Sequence, residues 1–184
     1  MRELSLHLLD IAENSVAARA TVISILVEEN LADDQFSMAV IDNGCGMSPE
    51  MVDRVLDPFV TSRTTRKVGL GLPLLKAAAE ACNGSLTIQS TLKQGTKVEV
   101  NFQRSHIDRM PLGDLGSTFI SLLIGAPDIR WLFHYRVNDQ RYELDSQPIQ
   151  ETLDGVPLTD PAVLAYLREE IEGGVRAIRP ADSF

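Results

Sequence analysis

Residues 57–76, read as DPFVTSRTTRKVGLGLPLLK, constrain the fold of this chain more than any other stretch. Pro58, Gly69 and Gly71 interrupt the stretch, and seven polar or charged side chains lie between the proline and the glycines. Such a segment cannot pack as a core strand. Because an apolar run of helical spacing follows, the pattern predicts a mobile loop that leads into a helix.

The same stretch has the features of a phosphate site. Glycines before a helix let backbone N–H groups approach an anion, and the positive end of the helix dipole favours negative charge. Residues 58–79 contain no acid and four basic residues, in a chain of net charge −9. The basic residues are Arg63, Arg66, Lys67 and Lys76. A local positive surface on an acidic protein fits a small polyanion better than a nucleic acid. The alternative is a solvated loop with an ordinary helix cap.

Composition limits the class of protein. A chain of 184 residues can hold one core of about 100 to 150 residues and a small appendage. Its 44% hydrophobic and 23% charged content is typical of a folded protein. The sequence has neither a bilayer-spanning apolar run nor a signal pattern, so we expect a cytoplasmic protein with no membrane partner. Cys45 and Cys82 match no metal-ligand spacing, which argues against a disulfide framework or a zinc site.

The first predicted helix carries two polar residues of interest. Leu4, Leu8, Ile11, Ser15 and Ala18 form one stripe of a helix over residues 2–20. Asp10 and Asn14 are four residues apart and project side by side on another stripe. Their oxygens could meet Mg²⁺ and its waters. An exposed polar helix face is the alternative.

Two strands are predicted next, over residues 21–28 and 35–41, and they could form an antiparallel pair. Asp42 follows the second strand directly, and Gly44 and Gly46 come after it. This order fixes a carboxylate beside backbone that a flat ligand can approach closely.

The remaining elements complete a two-layer pattern. Ser48 caps a short helix that begins with Pro49 and continues to residue 56. A helix over residues 70–82 ends at Asn83–Gly84, and strands over residues 85–91 and 96–102 form a hairpin. We predict an α+β two-layer sandwich, with helices on one face of a mixed, mostly antiparallel sheet, and a small C-terminal α+β extension.

Residues 4–102 resemble the ATP-binding module of histidine kinases, type II topoisomerases, the related heat-shock chaperone and mismatch-repair ATPases, the GHKL or Bergerat-fold ATPases. Five motifs carry this resemblance in the order and spacing of the family. DIAENSVAA from Asp10 resembles the N box, DNGCGM from Asp42 the first glycine box and DPF from Asp57 the F box. GLGL from Gly69 resembles the second glycine box, and Gly95-Thr96 the adenine-site threonine.

The resemblance implies a role for each matching residue. Asp42 would accept a hydrogen bond from the adenine amino group with support from Thr96, and Asn14 would hold Mg²⁺ at the phosphates. Gly44 and Gly46 would pass close to the nucleotide, Gly69 and Gly71 would cradle the phosphates, and residues 61–68 would form a lid. Met47, Thr61, Ser62, Leu70 and Leu72 complete the expected nucleotide-binding set. Arg63 or Lys67 would neutralise the terminal phosphate, and both remain candidates.

The chain departs from the family pattern at two points. Asp10 stands where ATP-hydrolysing relatives have a glutamate, and a displacement near 1 Å can cost about a hundredfold in rate. Asp10 is therefore a candidate catalytic residue whose ability to activate water is open. No histidine-bearing hairpin precedes the N-box helix, and His7, His106 and His134 do not resemble a phosphoacceptor motif. We expect any acceptor to belong to another polypeptide.

Residues 105–184 are predicted to form an extension that packs on the core of residues 1–104 or on a partner. Helices over residues 115–124 and 161–178, the latter capped by Asp160, flank a hairpin over residues 129–145. Trp131, Phe133 and Tyr135 alternate on one strand face, a stripe more typical of core than of a partner surface.

Three functions share the predicted pocket for ATP and Mg²⁺. The first is a cytoplasmic histidine-kinase-like or anti-sigma-like kinase that transfers a phosphoryl group to an unidentified protein partner. The second is an ATP-gated binding module with little turnover, and the third is a slow ATPase that dimerises.

Overall fold

The structure is a computed structural model that describes residues 3–56 and 71–180. Within these residues the chain alternates between helices and strands. The elements are α1 (Leu4–Ala17), β1 (Val22–Asn30), β2 (Gln35–Asp42), α2 (Pro49–Val55), α3 (Gly71–Ala81), β3 (Ser85–Thr91), β4 (Gly95–Gln103), α4 (Leu115–Gly125), β5 (Arg130–Val137), β6 (Gln140–Asp145), α5 (Ser146–Thr152) and α6 (Pro161–Ile178).

The strands form one six-stranded sheet in the order β3-β4-β2-β1-β5-β6. Neighbouring strands are antiparallel except β1 and β5, which are parallel. Ile23, Ile25 and Val27 on β1 are almost completely buried, while the residues between them are half-buried. This period of two directs one face of the strand into a core shared with buried residues of α1, α3, α4 and α6. The predicted α+β fold with a mixed, mostly antiparallel sheet is confirmed.

Side chains cap the starts of α2 and α6 at the predicted positions. Ser48 Oγ accepts a hydrogen bond from the Met51 amide at 3.4 Å, and Pro49 is the first residue of α2. Asp160 Oδ1 accepts from the Ala162 amide at 2.8 Å at the start of α6. These contacts satisfy amide groups that the first helical turn leaves without intrahelical partners.

The C-terminal segment continues the sheet. Strand β5 lies beside β1 with Val22 opposite Arg130 and Glu29 opposite Val137, and β6 returns as the predicted hairpin. The aromatic stripe on β5 is at most 1% exposed, which confirms its interpretation as core; its members are Trp131, Phe133 and Tyr135. The domain boundary between residues 104 and 105 stays a prediction, and strands from both sides of it share one sheet.

A buried polar contact also joins the segment to β1. Glu29 is 3% exposed, and its Oε1 accepts a hydrogen bond from the Tyr135 hydroxyl at 2.6 Å. Its Oε2 accepts from Arg104 Nε at 2.7 Å. Burial raises the pKa of Tyr135, and the bond to the Glu29 carboxylate raises it further. The phenol therefore stays protonated and acts as the donor that a buried carboxylate requires.

Helix α5 was not predicted. It spans only Ser146–Thr152 and contains Pro148, so its sequence resembles a turn. The Asp145 side chain caps it by accepting from the Gln147 amide at 3.0 Å, while Ser146 Oγ accepts from the Trp131 amide at 2.8 Å. Tertiary contact with β5 thus supports a helix that is too short to be stable alone.

Among the described helices, none combines the length and hydropathy required to cross a bilayer.

Candidate functional site

Asp42 is the centre of the candidate site. It ends β2 and is 8% exposed. Its Oδ2 accepts a hydrogen bond from Ser15 Oγ at 2.7 Å, and its Oδ1 accepts from the Gly44 amide at 2.8 Å. One donor on α1 and one in the loop after β2 therefore fix the orientation of the carboxylate, and further lone pairs remain on the two oxygens for a ligand.

Ser15 is a residue of the site that sequence reasoning missed. It lies on α1 within the stripe of Leu4, Leu8 and Ile11, and it is 4% exposed. The helical spacing places Ser15 on this stripe and assigns it no partner. A hydroxyl among apolar positions was the available signal, because a buried polar atom requires a hydrogen-bond partner.

The backbone around Gly44 and Gly46, the two glycines after Asp42, leaves no space for a side chain. A Cβ on Gly44 would lie 2.8 Å from the Ala18 carbonyl oxygen, and one on Gly46 would lie 1.9 Å from the Thr91 carbonyl oxygen. Gly46 also has a φ of +64°, which side-chain-bearing residues rarely adopt. The structure thus explains both glycines by contacts within the chain, and their approach to a nucleotide stays a prediction.

Backbone and side-chain bonds hold this segment in place. The Cys45 amide donates to the Ala18 carbonyl at 2.9 Å, and the Cys45 carbonyl accepts from the Lys93 amide at 2.7 Å. Asn43 Oδ1 accepts from the amides of Thr21 and Val22 at 2.8 and 3.0 Å. Hydrogen bonds of Asn43 and Cys45 therefore connect this loop to the end of α1, the start of β1 and the β3–β4 turn.

Thr96 lies opposite Asp42 in the β2–β4 ladder. The preceding Gly95 has a φ of +112°, and a Cβ there would lie 1.9 Å from the Asp42 carbonyl oxygen. A glycine is therefore required for β4 to begin so close to the end of β2. This geometry places the predicted threonine next to the predicted carboxylate across the sheet.

Ser90 is a second residue that the sequence did not identify. Its Oγ lies 2.8 Å from Thr96 Oγ1, accepts from the Met47 amide at 2.8 Å and lies 3.1 Å from the Gly95 carbonyl oxygen. Met47, a predicted nucleotide-binding residue, is thus connected to Thr96 through this hydroxyl. No sequence signal distinguishes Ser90 from other polar residues of β3, because the contact depends on strand register.

Asp10 and Asn14 lie one turn apart on α1, with Asp10 half-buried and Asn14 exposed. A Cβ on Gly71, the first residue of α3, would lie 3.2 Å from Asp10 Oδ2. The structure therefore brings Asp10 beside the start of the glycine-led helix, where a negative charge is favourable. Leu72, the next residue of α3, is half-buried and packs against the core.

His7 precedes Asp10 by one turn and is 4% exposed. Burial lowers the pKa of His7, and the nearby Asp10 carboxylate opposes part of that change. A buried imidazole with a lowered pKa on the core side of α1 fits a structural role for this residue.

The donor set around Asn14 fits Mg²⁺ bound with a ligand. Mg²⁺ takes one or two protein oxygens together with phosphate oxygens and waters, and it does not need a dedicated protein cage. Over residues 3–56 and 71–180 there is no group of three or more His, Cys, Asp or Glu side chains placed for a metal. The oxygens of Asn14 and Asp10 are of the hard type that this ion prefers.

Several predicted residues lie outside the described part of the chain. They are Thr61, Ser62, Arg63, Lys67, Gly69 and Leu70, together with the predicted lid over residues 61–68. Their roles stay predictions.

A groove of about 660 Å³ lies apart from this site, between the start of α4 and the end of α6. Asp114 and Glu172 at this groove both contact Arg168, at 3.3 and 2.8 Å. Its lining includes none of the predicted site residues.

Comparison with known proteins gives a family match over more than half of the chain. The model of the family described as histidine kinase-, DNA gyrase B- and HSP90-like ATPase matches residues 2–106. These residues include α1, β1, β2 and the hairpin of β3 and β4, and thus the whole described site.

Two relatives named as kinases are similar to this chain. Sporulation kinase D of Bacillus subtilis is 32% identical over 93 residues, which cover 50% of this chain and 18% of the relative. The cell-division control histidine kinase PdhS of Brucella ovis is 33% identical over 121 residues, covering 58% of this chain and 11% of the relative. The chain thus spans less than a fifth of the length of these relatives.

A solved structure titled as the N-terminal domain of a DNA repair protein shares the fold. It superimposes with a TM-score of 0.55 and 14% identity, covering 96% of this chain and 59% of the other. The similarity extends over the described C-terminal segment as well as the region of the family match.

Proposed function

The chain belongs to the family of histidine kinase-, DNA gyrase B- and HSP90-like ATPases over residues 2–106, and from this membership we propose a cytoplasmic kinase. Residues 1–104 bind ATP with Mg²⁺, residues 105–184 form an extension of that domain, and the terminal phosphoryl group passes to a separate protein. The proposal for ATP rests on the family and on the site geometry, and the proposal for transfer rests on the named kinases among the relatives.

The oriented carboxylate of Asp42 is the observation that carries the nucleotide proposal. Ser15 and the Gly44 amide hold it from two sides at 2.7 and 2.8 Å. An almost buried carboxylate is an acceptor of hydrogen bonds, and the exocyclic amino group of adenine is a donor. A base that presents a carbonyl oxygen there opposes the remaining lone pairs of the carboxylate and forms no hydrogen bond with it, so the site favours bases that carry the amino group.

The phosphates are proposed to lie between α1 and the start of α3. Asn14 holds Mg²⁺ there, and the amides at Gly71 and Leu72 face the phosphate chain at the positive end of α3. Bound Mg²⁺ neutralises phosphate charge and aligns the terminal group. Arg63 or Lys67 supplies the second positive charge. Gly69 and Leu70 lie with Gly71 at the phosphates, and residues 61–68, which include Thr61 and Ser62, form the lid.

A nucleotide-gated binding module is the second candidate, and Asp10 favours it. Its side chain is one methylene shorter than the glutamate of hydrolysing relatives, and it lies against the first residue of α3. A carboxylate in that position orders the helix start without having to activate water. Under this alternative, ATP changes the affinity for a partner protein with little turnover, and a slow, dimerising ATPase is the remaining variant.

Terminally labelled ATP separates these functions. The full chain is incubated with labelled ATP, Mg²⁺ and a lysate of the source cells, with Asp42→Asn as the control that lacks the adenine contact. Label on a second protein that disappears in the control supports the kinase. Free phosphate that disappears in Asp10→Ala supports the ATPase, whereas tight binding with neither product supports the gated module. Absence of ATP binding by the wild-type chain would overturn all three.

A further inference from the structure

The sheet has a second face, opposite to the one that packs against the helices. We call it the outer face, and it consists of the residues that alternate with the core residues on each strand. On the central strands β1 and β2, these residues include Ser24, Leu26, Ala39 and Ile41. None of the four belongs to the hydrophobic core of the described residues. The packing of the helices therefore leaves the side chains of the outer face unused.

Large and small side chains alternate at the centre of the outer face. Leu26 is the register partner of Ala39, and Ser24 is the register partner of Ile41. Ile41 is 37% exposed and Leu26 is half-buried, whereas Ala39 is only 7% exposed. The two large side chains thus lie on different strands in successive rows, and each has a small side chain beside it.

This pattern is complementary to a copy of itself. Two sheets can stack face to face about a two-fold axis that runs parallel to the strands, between β1 and β2. Strand β1 of one copy then lies over β2 of the other, so that Leu26 lies over Ala39 of the second copy and Ile41 lies over Ser24. Large side chains therefore meet small ones across the centre of the contact, as well-packed layers require.

The charges of the outer face also favour a second copy. The face carries four acids and four bases, so the net charge of −9 belongs to the rest of the chain. Each acid lies within 3.9 Å of a base, in the pairs Lys97–Glu99, Arg130–Asp145, Arg136–Glu28 and Arg141–Glu143. Two copies of an acidic chain repel each other through most of their surface, and a locally neutral face avoids that repulsion.

The same axis produces a favourable contact outside the apolar centre. His134, Leu26, Ala39 and Glu99 form one row across β5, β1, β2 and β4. Because the axis places β5 of one copy over β4 of the other, His134 lies over Glu99 of the second copy. Within the rows that the described strands form, no two like charges face each other.

The outer face is large enough for a stable contact. Six strands about 4.8 Å apart and about 20 Å long give a sheet of about 500 Å² in projection. The accessible area of the side chains is larger than this projection, and a standard interface buries about 800 Å² per partner.

We propose that the outer face is the interface of a homodimer, in which two copies stack sheet on sheet about a two-fold axis parallel to the strands. The occupant is a second copy of this chain because the steric pattern and the charges are both self-complementary. Leu26 and Ile41 are the projecting side chains, and Ala39 and Ser24 are the positions that receive them. Asp42 contacts Ser15 of α1 on the opposite face of the sheet, so the dimer leaves the proposed nucleotide site open.

Sedimentation equilibrium of the full chain without nucleotide tests the interface, and its outcome does not depend on the adenine site. We expect the wild type to form a dimer with a dissociation constant in the micromolar range. Ala39→Leu fills a small position and should weaken dimerisation by about tenfold or more. The double variant Leu26→Ala with Ala39→Leu exchanges the large and small positions and should dimerise more tightly than Ala39→Leu alone.

Ser24→Leu tests the other small position independently, and it decides the question if Ala39→Leu does not fold by circular dichroism. It places a leucine opposite Ile41 of the second copy and should weaken the dimer to a similar extent. Ile124→Glu, at an apolar side chain 52% exposed on α4, is the control that should dimerise like the wild type.

Two kinds of result would overturn the proposal. The first is a wild type that remains monomeric up to about 1 mM. The second is a dimer that Ala39→Leu and Ser24→Leu leave unchanged, or that Ile124→Glu weakens equally, because the contact would then lie on another surface.

Discussion

The hydroxyl of Ser15 donates to Oδ2 of Asp42 at 2.7 Å, and this contact connects α1 to the end of β2. The residue before Ser15 is Asn14, the proposed Mg²⁺ ligand. A single helix therefore orients the carboxylate proposed for the base and carries the amide proposed for the phosphates. The position of the proposed adenine contact relative to the proposed Mg²⁺ ligand is therefore fixed by two consecutive residues of α1.

Replacing Ser15 with alanine should weaken ADP binding. A hydrogen bond to a charged group contributes about 1.5–3 kcal/mol, and part of that is lost when Asp42 becomes free to reorient. We expect a reduction in affinity of about tenfold by calorimetry, with little change in secondary structure. Ser121→Ala, on the exposed side of α4, is the matched control. Equal affinity of Ser15→Ala and the wild type would show that the contact does not orient the site.

Gly46 should not tolerate a side chain. Gly46→Ala places a Cβ 1.9 Å from the Thr91 carbonyl and forces a positive φ on alanine. We expect the free energy of unfolding to fall by at least about 1 kcal/mol and nucleotide binding to be lost. Gly173→Ala, in α6 with open space around it, should leave stability equal or raise it by about 0.5–1 kcal/mol. Urea titration measures both variants, and comparable effects in the two would contradict the packing argument.

The sequence predicts those site residues whose positions depend on local pattern. Strand alternation followed by two glycines located Asp42, and helical spacing placed Asp10 one turn from Asn14. In contrast, Ser15 and Ser90 were missed. Their roles depend on which strand end lies against α1 and on the register of three strands, which sequence periodicity does not specify.

The pairing of β1 with β5 could not be predicted for a related reason. Val22 and Arg130 are partners in the ladder although more than a hundred residues separate them. The aromatic stripe of β5 indicated a buried face correctly. Periodicity predicts that a strand has such a face, and tertiary packing selects the neighbour.

Residues 1–104 alone should not fold stably. Truncation exposes the edge of β1 and removes the fully buried Trp131 and Tyr135. Loss of one large core aromatic costs about 3–5 kcal/mol, against a total stability of about 5–15 kcal/mol for a typical domain. Circular dichroism should show no cooperative thermal transition for this fragment.

Two substitutions in the full chain test whether the C-terminal segment is required for stability. Trp131→Ala should destabilise strongly, whereas Tyr166→Ala, at a side chain 61% exposed on α6, should have little effect. A fragment of residues 1–104 that unfolds as cooperatively as the full chain would show that the C-terminal segment is a separate unit.

Stability should depend on pH through His7. Burial lowers its pKa in the folded protein below the unfolded value of about 6.5. The unfolded chain therefore binds a proton first as the pH falls. The contribution of neutral His7 to the free energy of unfolding is complete above the unfolded pKa. It is lost as the pH decreases toward the folded pKa, by up to about 1.4 kcal/mol per pH unit. Urea titrations between pH 8 and 5 measure this slope. In His7→Leu, the free energy of unfolding should change less steeply with pH. A pH dependence identical to that of the wild type would show that His7 does not contribute to it.

The central claim is that Asp42 selects adenine, and calorimetric titration of Asp42→Asn with ATP and Mg²⁺ tests it most directly. Asparagine keeps the size of the side chain but replaces one acceptor oxygen with a donor, which mispairs the site with the adenine amino group. We predict a loss of about 1–3 kcal/mol of binding free energy in this variant. Asp139→Asn, in the exposed β5–β6 turn, should bind ATP like the wild type. Unchanged ATP affinity in Asp42→Asn would contradict the account.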